Sequence, residues 1–167
     1  MEHMQIRMAT IDDLDAITSV EAECFPAAEA ATREEFARRI KAYGTHFWLL
    51  CEEGYEKDKI IAFVDGMVTD EKNLTDEMYE KAELHDEGGA WQMIFGVSTL
   101  PAYRRRGYAE KLMRYVINDA RAQDRTGMVL TCKESLIHYY EKFGFQNEGI
   151  SESVHGGAVW YQMRLIF

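Results

Sequence analysis

The apolar period of this chain changes once between Ala90 and Ala120, and that change constrains the fold more than any other feature. Ala90 to Val97 reads as one continuous apolar strand. The stretch VSTLPAYRRRGYA follows, turning at Pro101, collecting Arg104, Arg105 and Arg106, and reaching Gly107. From there Tyr108, Ala109, Leu112, Met113, Val116, Ile117 and Ala120 recur at helical spacing. The order is strand, basic loop, glycine, helix. A helix N-terminus presents unpaired N–H groups and the positive end of a dipole, which suits phosphate. Gly107 lets a ligand approach without a Cβ in the way, and the arginines add forked donors for phosphate oxygens. Three consecutive arginines stand out because the chain has a formal net charge of −10. The same spacing also suits an ordinary turn with a solvated basic loop.

A second pattern lies downstream, Tyr140-x-x-x-Gly144-Phe145. With Arg104-x-x-Gly107-x-Ala109, and Pro101-x-Tyr103 just before it, the chain resembles the GNAT acyl-CoA N-acyltransferases. The resemblance extends over all 167 residues. The stretch CFPAAEAA, Cys24 to Ala31, is similar to the bacterial subgroup related to arylalkylamine N-acetyltransferases.

The bulk numbers fit such a chain. Its 167 residues suggest one domain, 1–167, with one sizeable core. No apolar run approaches the ~20 residues of a membrane span, and MEHMQIRMAT lacks the apolar centre of a signal peptide. Cys24, Cys51 and Cys132 are odd in number and widely spaced, which argues against a disulfide framework or a structural zinc site. These features point to a cytoplasmic protein without a metal or a membrane partner. A sequence pI near 5.0 disfavours nucleic acid. A homodimer is compatible with all of this.

Read in order, Gln5 to Ala9 forms a strand, and Thr10 caps a helix carrying Leu14, Ile17, Val20 and Cys24 to Pro26. Thr32-x-x-Glu35 is a capping box for a second helix that Gly44 stops. His46 to Cys51 and Lys59 to Val68 read as an antiparallel hairpin. Asp70 to Glu87 holds eight acids against two lysines, a local net of −6, with Thr75 capping a short helix. It reads first as a solvated insertion, with an acidic lip that steers amines as the alternative. Strand Met128 to Cys132, a helix from Ser135 to Phe143, and strands Phe145 to Ile150 and Ala158 to Phe167 complete the chain. This order predicts an α/β fold: a mixed, mostly antiparallel sheet of six to seven strands with helices on both faces, the GNAT order.

The resemblance implies an enzyme that transfers an acetyl group from acetyl-CoA to a primary amine by direct attack in a ternary complex. It places the pyrophosphate against the backbone of Arg105, Arg106, Gly107, Tyr108, Ala109 and Glu110, with Arg104 opening the loop. It lays the pantetheine arm along Val97, Ser98 and Thr99, with a backbone N–H near Val97 facing the thioester oxygen. It implies Tyr140 as the acid that protonates the departing thiolate, since a phenol stays protonated at neutral pH. Tyr139, its neighbour, is expected to face elsewhere. The paired histidines of the vertebrate members are missing from WQMIFGV, Trp91 to Val97. Glu29 is the expected base, because related enzymes use a glutamate in that loop. Phe25, Pro26, Trp91 and Phe95 could line an apolar acceptor pocket. His46, His85 and His138 read as structural or surface residues, and so does His155, although its HGG loop borders the acceptor pocket in the family. The expected acceptor is a small amine, an arylalkylamine or a polyamine. A protein or peptide acceptor is the alternative, and a non-catalytic acyl-CoA sensor a further one. An enclosed pocket favours the small amine and an open groove the peptide.

Overall fold

A computed structural model describes residues 3–167; Met1 and Glu2, which begin the stretch read above for a signal, lie outside them. Among the described residues, nine strands and five α-helices follow one another. Strand β1 (Met4–Met8) leads through a 3-10 turn at Ile11–Asp13 into α1 (Leu14–Cys24) and α2 (Arg33–Tyr43). The hairpin β2 (Phe47–Glu52) and β3 (Lys59–Asp65) is followed by the short β4 (Val68–Thr69) and α3 (Asp76–Glu80). Then come β5 (Trp91–Ile94), β6 (Gly96–Thr99), α4 (Tyr108–Ala122), β7 (Gly127–Cys132), α5 (Ile137–Glu141), β8 (Gln146–Ile150) and β9 (Tyr161–Ile166).

The strands form two sheets, β1-β2-β3-β6 and β4-β5-β7-β9-β8. Only β5 and β7 run parallel among the described pairs. The expected six or seven strands become nine because two apolar runs are cut. The run from Lys59 divides at Gly66–Met67 into β3 and β4. The central run divides at Phe95: Ile94 still pairs with Leu130 on β7, whereas Gly96 already pairs with Asp65 on β3. Phe95 N–H donates to the Asp65 carbonyl at 2.7 Å. Gly96 is required at this crossing, since a Cβ there would lie 2.6 Å from Asp65 Oδ1. The two sheets part here, and a cleft opens between β5 and β7 on one side and β6 on the other.

Helices cover both faces. The stripe Leu112, Met113, Val116, Ile117 and Ala120 of α4 is buried with Trp48, Ile61, Val64 and Leu130. Helices α1 and α2 bury Leu14, Ile17, Val20, Phe36 and Ile40 against Phe47, Leu49 and Phe63 on the other face. Each such side chain contributes about 1.5–3 kcal/mol by leaving water. The capping signals hold: Thr10 N–H donates to Asp13 Oδ2 at 2.9 Å, and Glu35 N–H to Thr32 Oγ1 at 3.2 Å. Gly44 does follow α2, but in right-handed conformation, so the chain runs on into a 3-10 turn at Gly44–His46. The helix expected from Ser135 to Phe143 is a 3-10 turn, Glu134–Leu136, followed by the short α5.

Candidate active site

The cleft widens into a cavity of about 480 Å³. One wall is the strand break, Ile94 to Val97 with Thr99, and the opposite wall is the end of β7, Leu130 to Cys132. Arg104 and Ala109 reach it from the basic loop and α4, and Leu136, Tyr139 and Tyr140 from the α5 region. The other end is lined by Phe25 and Glu29 from the α1–α2 loop, Tyr79 from α3, and His155 and Trp160 from the β8–β9 loop.

The basic loop has a backbone geometry that suits an anion. Arg105 and Gly107 both adopt left-handed conformation, with φ of 64° and 82°. Alternating the hand of the backbone in this way turns successive N–H groups toward one side. Gly107 is the N-cap of α4 and has no side chain to satisfy the first turn. A Cβ at Gly107 would meet nothing within 4 Å, so the space in front of this turn is open to a phosphate group. Strand β6 is an edge of its sheet, leaving one side of Val97 to Thr99 without a strand partner. These features fit acetyl-CoA: the turn at 105–110 would hold its pyrophosphate and the edge of β6 its amide-bearing arm.

The side chains of the loop take different roles. Arg104 Nε donates to the Thr99 carbonyl at 3.1 Å, and Cys24 Sγ reaches the same oxygen at 3.2 Å, so Arg104 pins the loop to β6. Arg106 stacks over the Tyr103 ring at 5.3 Å. Glu110 bonds to Arg114 at 3.0 Å and faces Lys142 at 3.6 Å. Ser98 is buried, and its hydroxyl donates to Glu21 Oε1 at 3.0 Å.

Tyr140 is buried, with its ring edge-on to Tyr139 at 5.1 Å and to Phe145 at 6.0 Å. Burial, assisted by the neighbouring Tyr139 and Cys132, raises its hydroxyl pKa well above that of a free phenol. Tyr139 was expected to face elsewhere, but it lines the cavity too, because α5 is one short turn wedged into the cleft. Its hydroxyl is enclosed by protein without a hydrogen-bond partner.

Glu29 lies in the cavity wall with Oε1 2.7 Å from Lys133 Nζ, an ion pair by distance whose geometry is off the line of a hydrogen bond. Of the four residues expected to form the acceptor pocket, Phe25 and Phe95 line the cavity. Trp91 does not: it packs under Arg164 at 4.7 Å, at the start of β5, and Trp160 takes the place of an aromatic wall. Pro26 is not part of the lining.

Three residues that the sequence did not single out are central here. Glu21 is buried in the cavity wall, holding the Ser98 hydroxyl and, at 2.9 Å, the Ala31 N–H. Burial raises its pKa. Arg39 is buried between the Phe36 and Phe95 rings, at 5.4 and 5.3 Å, and bonds to Asp65 Oδ2 at 3.2 Å and the Tyr79 carbonyl at 3.1 Å. Tyr79 stacks on His155 at 5.0 Å, meets Phe95 at 4.9 Å, and shares a 3.1 Å hydrogen bond with Thr131; burial pushes its phenol up to about 12. A sequence signal existed for Glu21, the one acid on the apolar face of α1. Tyr79 sat inside a segment read for its charge.

That acidic segment supplies the cavity with Tyr79 and none of its carboxylates. Asp76 instead accepts from the Ser153 hydroxyl and, at 3.0 Å, the Val154 N–H, tying α3 to the β8–β9 loop. Glu87 faces His46 Nε2 at 2.9 Å, His85 Nε2 at 3.0 Å and Arg125 at 3.0 Å. His46, His85 and Glu87 are close enough to share a metal ion. However, His85 Nδ1 accepts from Val68 N–H at 3.0 Å. Its Nε2 then carries the proton and has no lone pair to offer, so the group is a clasp holding the insertion to the core.

Residues 14–145 match the Acetyltransferase (GNAT) family. The chain belongs to that family and is an acetyl-CoA-dependent N-acetyltransferase. It is 28% identical over 165 residues to the serotonin N-acetyltransferase of Mesocricetus auratus, covering 96% of this chain and 76% of that one. Primate serotonin N-acetyltransferases match over a shorter stretch, about half of their own length. Among solved structures, the loading GNATL domain of CurA from Lyngbya majuscula superposes with a TM-score of 0.82 at 18% identity, covering 98% of both chains. An acetyltransferase from Salmonella typhimurium with its cofactor acetyl-CoA gives 0.68 at 19% identity, over 98% of this chain and 93% of that one. Among the described residues no helix is long and apolar enough to cross a membrane.

Proposed function

We propose that this protein acetylates a small primary amine with an aromatic or otherwise flat apolar body, as one domain acting in the cytoplasm. The observation that carries the reading is the bridged end of the cavity. Three separate segments meet over it: Glu29 in the α1–α2 loop, Tyr79 on α3, and His155 with Trp160 in the β8–β9 loop. They are joined by the Tyr79–His155 stack and by the His155 Nε2 hydrogen bond to the Glu29 carbonyl at 2.8 Å. A peptide needs an open groove, and these contacts span the cavity at that end. Aromatic walls with the Glu21, Glu29 and Glu35 carboxylates suit an amine whose ring is sandwiched and whose ammonium faces acids. A polyamine is the less favoured acceptor, since the acids of the insertion lie outside the cavity.

Acetyl-CoA, when bound, supplies an activated acetyl thioester. The turn at Arg105 to Glu110, with Arg104 behind it, holds the phosphates, and Val97, Ser98 and Thr99 hold the arm. Tyr140 protonates the departing sulfur. Glu29, whose carboxylate is paired with Lys133 at 2.7 Å, contributes negative charge near the amine. The test is release of free CoA thiol against tryptamine, phenylethylamine, spermidine, spermine and a lysine peptide. Turnover strongest with tryptamine or phenylethylamine is expected. Turnover of the peptide alone would overturn the reading.

A further inference from the structure

The strand break, WQMIFGV, carries no titratable side chain, so the proton that leaves the acceptor must be received elsewhere in the cavity. We propose that His155 Nδ1 receives that proton, directly or through one water, in a tautomer fixed by the backbone of Glu29. This rests on the N-acetyltransferase reading above.

His155 Nε2 makes a hydrogen bond with the Glu29 carbonyl at 2.8 Å. A carbonyl only accepts, so Nε2 must carry a hydrogen. In the neutral ring the lone pair is then at Nδ1, which has no hydrogen-bond partner among the described residues. Imidazole is the side chain suited to taking and releasing a proton near neutral pH. The ring is held in place by its stack on Tyr79, at 5.0 Å and 18°, and by Trp160 at 6.1 Å. Trp160 Nε1 donates to the His155 carbonyl at 2.8 Å, fixing the backbone as well. A Cβ on Gly156 would lie 2.6 Å from Glu29 Cγ, so the glycine is what lets the loop come this close to Glu29.

The charged groups around the ring are named by the elements that pack on it. The α1–α2 loop brings Glu29, whose carboxylate faces Lys133 at 2.7 Å. Lys133 also lies over Trp160 at 5.7 Å. Helix α3 brings Tyr79 and Asp76, the latter bound to Ser153 and Val154 of the same loop. Glu29 therefore contributes through its carbonyl, while its carboxylate is engaged by a lysine. Glu21, the other buried acid of the wall, already accepts from Ser98 and Ala31.

The proton count closes. The ammonium form of the acceptor gives one proton to Nδ1 and becomes a free amine. Its nitrogen forms the C–N bond as the C–S bond breaks, and Tyr140 donates its hydroxyl proton to the sulfur. The second nitrogen proton restores the Tyr140 hydroxyl, and the imidazolium releases the first to solvent.

Two measurements test this. In wild-type protein with 15N-labelled histidine, the ring nitrogen shifts of His155 should report Nε2–H as the neutral tautomer; Nδ1–H would overturn the proposal whether or not any amine is turned over. With tryptamine, His155→Gln should lower kcat/KM by about 10²-fold or more, the usual size of a general-base contribution. It should also remove the acidic limb of the pH–rate profile, leave acetyl-CoA binding intact and be partly rescued by added imidazole. His155→Asn serves if the glutamine variant does not fold. Near-normal kcat/KM with the acidic limb unchanged would refute the base role, while absence of wild-type turnover with every amine would instead sink the functional reading.

Discussion

Replacing Tyr140 by phenylalanine isolates one proton. The ring is held by Tyr139 at 5.1 Å and Phe145 at 6.0 Å, contacts that phenylalanine keeps. No hydrogen bond to its hydroxyl is found among the described residues, so stability should change by less than about 1 kcal/mol. The rate effect follows from two pKa values. A departing alkyl thiolate has a pKa of about 8.5, and a free phenol about 10. Burial raises Tyr140 further, so full proton transfer to the sulfur is uphill. General acids contribute about 10²–10⁴-fold, and an uphill donor belongs at the lower end. We therefore expect kcat to fall about 10²-fold, or about 2.7 kcal/mol of barrier. CoA thiol release at saturating acetyl-CoA measures it, with acetyl-CoA affinity determined separately by calorimetry. Tyr139→Phe is the control: it removes an enclosed, unpartnered hydroxyl and should leave kcat near wild type. An acetyl thioester of a nitrothiophenol should narrow the Tyr140→Phe deficit, because its thiolate leaves without a proton. A Tyr140→Phe kcat within about threefold of wild type, under 1 kcal/mol, would refute the acid role.

Gly107→Ala meets no steric obstacle but must hold φ near 82°, so it should cost about 1–2 kcal/mol in a urea melt while raising the KM for acetyl-CoA, since its methyl points into the phosphate approach. Asp65→Asn and Arg39→Met should each destabilise the protein by about 3–5 kcal/mol by orphaning a buried partner, and the double variant should lose much less than their sum; strictly additive losses would contradict a coupled pair. Asp13 has its pKa lowered: burial pushes it up, but hydrogen bonds from Arg7 and Thr10 outweigh that. Its folded pKa lies below its unfolded one, so its stabilisation is present above about pH 4 and fades as pH falls through the folded value. Melting temperatures of wild type and Asp13→Asn should accordingly differ at pH 6, and the difference should shrink progressively as the pH falls below about 4.

The elements with a strong local signal were legible. The stripe of α4, the Thr10 and Thr32 helix caps and the strand–loop–glycine–helix junction are each determined by neighbours in the chain, and the structure has them where the spacing put them. The strand break was not legible, because WQMIFGV is uniformly apolar and its cause is remote. Asp65 on β3 occupies the space where Gly96 has no side chain, and its carbonyl takes the Phe95 N–H, so the strand must change partners there. Asp65 is in turn held by Arg39 on α2. A buried ion pair 26 residues apart in sequence leaves no periodic trace.

The acceptor end shows the same limit more sharply. Charge count made Asp70 to Glu87 read as a solvated insertion, with an acidic lip for amines as the alternative, yet two of its acids are used as fasteners. Asp76 holds the β8–β9 loop and Glu87 the histidine clasp, and both place Tyr79, the residue of that segment that reaches the cavity. Acids on a short insertion are well hydrated and gain little by facing a cavity, whereas a tyrosine gains by burying its ring there. The insertion is therefore better understood as a device for delivering one aromatic ring to the stack on His155. On that view, selectivity for the acceptor should depend on Tyr79 far more than on ionic strength. A long-range acidic lip would predict the opposite, because screening within about 10 Å at 0.1 M salt would erase its attraction. Measuring kcat/KM for tryptamine across a salt series, in wild type and in Tyr79→Ala, separates the two. A flat salt series with a large loss in Tyr79→Ala supports the aromatic wall; a steep salt series with a mild variant would restore the acids as the selector.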